Sequence, residues 1–140
     1  MRALGIDFGE RRIGIALSSG SVASPIETVQ RSGDHAADHR KILAIAAEWE
    51  VDTLVVGLPL SLDGSEGAAA QLVRSEIDEL VAATSIPVVT YDERLTTVTA
   101  TRLLQEGEVP GRSQRQMVDQ VAAAVMLQAW LDSRAAQTDF

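Results

Sequence analysis

The chain has no cysteine, a single lysine (Lys41) and no long hydrophobic run among its 140 residues. The lack of cysteine excludes a disulfide framework, a thiolate zinc site and a cysteine nucleophile, and it suits a reducing compartment. No apolar stretch approaches the ~20 residues of a membrane span, and Asp7 falls inside what would be the apolar region of a signal peptide. A cytoplasmic protein with no membrane partner is therefore expected. With 46% hydrophobic and 23% charged residues the composition is that of one globular domain spanning 1–140. At this length folding hides roughly 68–70% of the extended chain's surface, enough for a core without covalent staples.

The scarcity of lysine accompanies a net charge of -8, which at first sight opposes a nucleic-acid partner. The acid excess is local, however. Residues 34–93 carry three basic and twelve acidic groups, whereas 1–33 carry four and three, and 94–140 carry five of each. Both ends of the chain are thus free of the excess.

Near the N-terminus, Leu4-Gly5-Ile6-Asp7-Phe8 and Ile13-Gly14-Ile15-Ala16-Leu17 alternate with period two around a polar Gly9-Glu10-Arg11-Arg12, a hairpin pattern. Val22 to Val29 adds a third strand. Apolar residues from His35 to Trp49 recur at helical spacing, and Thr53–Leu58 is a continuous apolar run of the kind buried on both faces in a parallel sheet. A Ser-, Gly- and Asp-rich loop from Pro59 to Gly67 precedes a helix over Ala68–Ala83. A strand at Val88–Tyr91 then leads to a helix over Thr96–Gln105. Gly107 and Pro110-Gly111 break that helix, and a last one runs from about Ser113 to Arg134. The order is that of an α/β fold with a mixed five-stranded sheet: three antiparallel N-terminal strands, two parallel ones, and helices on both faces.

Asp7 stands in an apolar strand, where a carboxylate is costly unless paired or bound to a cation. Alternation puts it on one face with Gly5 and Gly9, and Gly14 and Ala16 are the small residues of the next strand. If the two small faces coincide, the carboxylate stands on a bare patch open to close approach. Asp92-Glu93 ends a central strand, where open α/β sheets place their ligands. Period two sends one of the pair to each face; Glu93 is the choice, with a contribution from Asp92 left open. Asp119, in the first turns of the last helix, has Ala122 and Ala123 as neighbours on its own helix face, which lets that helix lie close to the patch. Three carboxylates without thiol or imidazole form an all-oxygen site suited to Mg²⁺ or Mn²⁺. Two such ions about 3.5–4 Å apart activate water and stabilise the leaving oxygen in phosphodiester hydrolysis.

Four blocks resemble the YqgF family of ribonuclease-H-fold nucleases, described as Holliday-junction resolvases and as pre-16S rRNA nucleases. They are Gly5-Ile6-Asp7-Phe8-Gly9 with Arg12-Ile13-Gly14-Ile15-Ala16, Val56-Gly57-Leu58-Pro59-Leu60 with Asp63-Gly64-Ser65, Asp92-Glu93-Arg94-Leu95-Thr96-Thr97, and Val118-Asp119-Gln120-Val121-Ala122-Ala123. They appear in the family's order and span nearly the whole chain. The resemblance implies a ribonuclease-H-like nuclease whose catalytic and metal-binding carboxylates are Asp7, Glu93 and Asp119. The 57–65 loop and Arg94 would lie near the substrate. Arg12, Ser61, Gly64, Ser65, Arg94, Thr96 and Arg112 form the expected substrate-binding set. The implied reaction is metal-dependent cleavage of structured nucleic acid, foremost the 5′ processing of precursor 16S rRNA. Holliday-junction resolution, for which a homodimer would supply two sites, is the alternative. In one departure, the segment before Asp119 has Arg112 and Arg115 but no lysine.

Plainer readings exist for several of these residues. Asp7 suits a turn satisfied by backbone N–H groups, Asp119 a helix-dipole partner, and Arg11 and Arg12 a solvated hairpin tip. His35 and His39 have metal-ligand spacing but fit a solvated first helical turn better, and Trp49 and Trp130 read as core. Two rival functions are an ATP-dependent phosphotransferase, whose first phosphate loop the Gly5–Gly9 hairpin resembles, and a non-catalytic RNA-binding assembly factor.

Overall fold

The computed structural model describes residues 1–61, 63–93 and 111–138, with side chains from 119 to 135 in the last segment. Strands β1 (Ala3–Phe8), β2 (Arg12–Ser19) and β3 (Val22–Gln30) are followed by helix α1 (His35–Glu48), strand β4 (Thr53–Leu58), helix α2 (Ala68–Ala83), strand β5 (Val88–Asp92) and helix α3 (Gly111–Thr138). The sheet order is β3-β2-β1-β4-β5. The first three strands pair antiparallel, and β4 and β5 add in parallel beyond β1. The expected helix over Thr96–Gln105 lies outside the described residues.

Period-two alternation divides β1 between two cores. Leu4, Ile6 and Phe8 join Ile13, Ile15, Leu54 and Val56 against Ile42 and Ile45 of α1 and Val73, Ile77 and Leu80 of α2. The opposite face is small: Ala3, Ala16 and Val55 meet Ala123, Met126, Leu127 and Trp130 of α3. Helices therefore cover both faces, as expected. Each fully buried Leu or Ile stabilises the fold by about 1.5–3 kcal/mol.

Asp34 caps α1 by accepting from the Ala37 N–H, which fixes the start of that helix. Its other end corrects an expectation: Trp49 is the C-cap and 39% exposed rather than core. It keeps the helical spacing of Ile42, Ile45 and Ala46 but stands at the helix terminus, past Ala46, the last buried residue of α1. A register shift between Ile15 and Ala16, opposite Glu27 and Pro25, bends the outer strand pair. A proline is tolerated there because β3 is an edge strand. Helix α3 begins at Gly111, inside the expected break, so Asp119 sits more than two turns from its start. That is too deep for the dipole reading of its carboxylate, whose influence fades within the first turn.

Candidate active site

The two small faces do coincide. Asp7 pairs across the β1–β2 ladder with Gly14, and Gly5 with Ala16. Helix α3 lies directly on this patch. A Cβ on Gly5 would stand 3.0 Å from the Leu127 Cβ and 3.1 Å from the Ala123 carbonyl oxygen, and one on Gly14 would run into the backbone carbonyl of Asp119. The missing side chains are what allow the helix to approach. Polar bonds set its position along the sheet. Gln120 Nε2 donates to Thr28 Oγ1 (2.8 Å), while Gln128 accepts from the Ala23 N–H (2.8 Å) and donates to the Ser21 carbonyl (2.9 Å).

Asp119 is thereby brought beside the β1–β2 turn. Arg12 Nε donates to its Oδ2 at 2.8 Å, with both side chains largely shielded. Burial raises the Asp119 pKa despite the opposing hydrogen bond and charge of Arg12, and the charge of Asp7 adds to the rise. Glu93, just past β5, lies against Gly57, where a Cβ would collide with its carboxyl group. It shares a hydrogen bond with Asp7. Burial, then that bond and the charges of Asp7 and Asp92, push Glu93 up to about 9. At neutral pH this pair holds a proton, as closely placed buried carboxyls do.

The donor chemistry fits a hard divalent cation: only carboxylate oxygens, and one surplus proton that a cation would displace. Among the described residues, no three Asp, Glu or His groups stand ready around one point. Asp7 and Glu93 are in contact, whereas Asp119 is turned to Arg12.

The expected substrate contacts divide. Arg12 is engaged by Asp119, and Arg11 is exposed at the turn. The 61–65 loop is bonded to itself. Ser61 N–H donates to the Ser65 carbonyl, Gly64 N–H to the Ser61 carbonyl, and Ser65 N–H and Oγ–H to Asp63 Oδ1. The Ser65 hydroxyl and these three amides are therefore already engaged within the loop. Gly64 adopts φ +88°, which its lack of a side chain permits. Arg94 and Thr96 lie outside the described residues, as does the side chain of Arg112.

The histidine expectation needs correcting. His39 is 3% exposed. Its Nε2 is 3.0 Å from Glu76 Oε1, and its ring packs against Phe8. Only His35 is solvated, 3.3 Å from Glu79. Sequence reasoning also missed Arg31 and Glu76, which form a two-pronged pair at 2.8 and 2.7 Å under the β1–β2 turn. The available signal was an acid on the apolar stripe of α2, between Val73 and Leu80.

A family model described as RuvX: Holliday junction resolvase matches residues 1–133. A relative from Anaeromyxobacter sp. (strain Fw109-5) is 49% identical over 136 residues, covering 96% of this chain and 98% of its own length. One from Myxococcus xanthus (strain DK1622) is 43% identical over 143 residues, covering 100% and 94%. Both are provisionally named pre-16S rRNA nuclease. In three dimensions the chain is similar to T. thermophilus RuvC, solved in complex with a Holliday junction substrate, with a TM-score of 0.62 at 18% identity and coverage of 97% and 96%. That likeness gives the fold, which is ribonuclease-H-like. With a family model covering nearly its whole length and relatives approaching half identity, the chain belongs to the RuvX family, the YqgF family of its sequence motifs.

Proposed function

We propose that this chain is a cytoplasmic, metal-dependent nuclease that hydrolyses phosphodiester bonds in structured nucleic acid, with precursor 16S rRNA as its substrate. The observation that carries the reading is the hydrogen-bonded Glu93–Asp7 carboxyl pair, seated where Gly57 makes room for it, with Asp119 held nearby by Arg12. A buried carboxyl cluster of this kind is unfavourable by itself and is relieved by bound cations. The names of the curated relatives favour the ribosomal substrate.

Asp7 and Glu93 would hold a divalent ion, and Asp119 would complete the set on leaving Arg12. When bound, one or two Mg²⁺ or Mn²⁺ would supply water activation and charge neutralisation at the leaving oxygen. The chain's own residues do the rest. Gly5 and Gly14 let α3 seat on the sheet and so bring Asp119 to the β1–β2 turn, Gly57 makes room for Glu93, and Arg12 holds the Asp119 carboxylate until a cation draws it in. Arg94, Thr96 and Arg112 would contact the phosphate backbone, with Ser61, Gly64 and Ser65 lining the approach.

Incubation with precursor 16S rRNA and with branched DNA, each in Mn²⁺ and in EDTA, tests this reading. Cleavage of the rRNA in Mn²⁺ alone, abolished in Asp7→Asn with the fold intact, is expected. Full Mn²⁺-dependent cleavage by that variant would refute the site. The family's description favours Holliday junctions as a second reading; preferential cleavage of the branched DNA by a dimer would select it.

A further inference from the structure

Arg31 follows β3 directly and lies on the α1/α2 side of the sheet, across from the carboxylates. Its backbone N–H donates to the Arg11 carbonyl (3.0 Å) and its Nε to the Gly9 carbonyl (2.8 Å). It therefore grips both ends of the three-residue turn that separates Asp7 and Phe8 from Arg12. The two remaining prongs of the guanidinium meet Glu76 Oε1 and Oε2 at 2.8 and 2.7 Å, and its plane sits over the Phe8 ring, 5.5 Å from the centroid. Glu76 is itself buried and fixed by His39. Three of the five guanidinium N–H groups are thus assigned, one to the turn and two to α2. Such a fork transmits position in a way that a lysine ammonium does not.

We propose that Arg31 is a positioning residue for the carboxylate site, a clamp that ties the β1–β2 turn to α2 and so fixes Asp7 relative to Arg12, and through Arg12, Asp119. The turn's internal bond, Gly9 N–H to the Arg12 carbonyl at 3.0 Å, closes the loop that the clamp steadies. The inference deepens the nuclease reading and rests on it for its kinetic consequence. Its structural consequence stands separately.

A merely structural ion pair would matter through stability alone, so the test separates the two. Arg31→Met would leave Glu76 buried and unpaired, and it risks unfolding the chain. The double variant Arg31→Met/Glu76→Gln removes both charges of the pair, keeps an acceptor opposite His39 and leaves the buried Asp38 its Ser32 hydrogen bonds, but it removes the grip on Gly9. Leu80→Ala, a cavity one turn beyond Glu76 that removes none of the clamp's bonds, measures what destabilisation does by itself. Amide hydrogen exchange and Mn²⁺-dependent cleavage are followed for all three proteins at a temperature well below each Tm. In the double variant the amides of Gly9 to Arg12 should exchange about tenfold faster or more, with the centres of β1 and β2 unchanged. Its kcat should fall about tenfold or more at unaltered KM, the signature of misplaced groups. Leu80→Ala should show neither effect. Wild-type exchange in the turn of the double variant, or a kcat loss that Leu80→Ala reproduces, would overturn the clamp. If the unaltered protein cleaves no nucleic acid, the nuclease reading fails while the exchange measurement still decides whether Arg31 steadies the turn.

Discussion

Glu93 keeps a proton at neutral pH that an ordinary glutamic acid has released. Its pKa in the folded chain is about 9 against an ordinary value of 4.5, raised first by burial and then by Asp7. Between those two values the unfolded chain has lost the proton and the folded chain retains it, so the metal-free protein should lose stability as pH rises. Asp119, also raised, acts in the same direction. Urea denaturation in EDTA at pH 5, 7 and 9 should show this decline. Asp7→Asn should make it shallower by removing the partner's charge. Stability that stays level or climbs across the window would contradict the raised pKa. Glu76 behaves oppositely: burial raises it, but the hydrogen bonds of Arg31 and His39 more than compensate and lower it. Its contribution is present above 4.5 and disappears as pH falls through its depressed value, a separate acid limb. Both residues are acids among apolar neighbours. Asp7 was legible because glycines flanked it, while Glu76 was not, because its partner Arg31 lies 45 residues away and no local pattern links them.

At the scale of elements, the α3–sheet contact depends on glycine. A Cβ at position 14 would occupy the space of the Asp119 carbonyl, and backbone cannot swing aside as a side-chain tip can. Gly14→Ala should therefore cost about 1–3 kcal/mol from overpacking and should also shift Asp119 away from the site. Thermal unfolding together with cleavage by the folded fraction checks this. Wild-type activity in a destabilised variant would mean that Asp119 is not needed where it stands. Sheet topology and the two-faced core were readable because alternation and continuous apolar runs encode burial directly. The end of α1 was not, since a tryptophan extends an apolar spacing whether or not the helix does. The 61–65 loop looked like a phosphate cradle by composition, yet the Asp63 carboxylate and the loop carbonyls claim its amides, a competition that spacing does not reveal.

At the scale of the whole molecule, the expected basic set offers few cations to bind phosphate. With Arg12 tied to Asp119, Arg94 and Arg112 are the remaining members of the expected basic set, on a chain of net charge -8. Nucleic-acid affinity should be weak and depend on salt with a log–log slope of about -2, the value for two phosphate contacts. A titration across salt concentrations in EDTA, where Arg12 stays on Asp119, measures it, and a slope several times steeper would point to basic residues outside this set. The Arg12–Asp119 bond also joins positions 107 residues apart. On a ribosome adding roughly 5–20 residues per second, the hairpin bearing Asp7 waits on the order of ten seconds for the helix bearing Asp119. Until then its bare glycine face has no cover and the carboxylates have no third member. On the proposed site, the nascent chain would be unable to cut any RNA beside it, and competence would arrive in a single late step, when the final helix closes on the sheet.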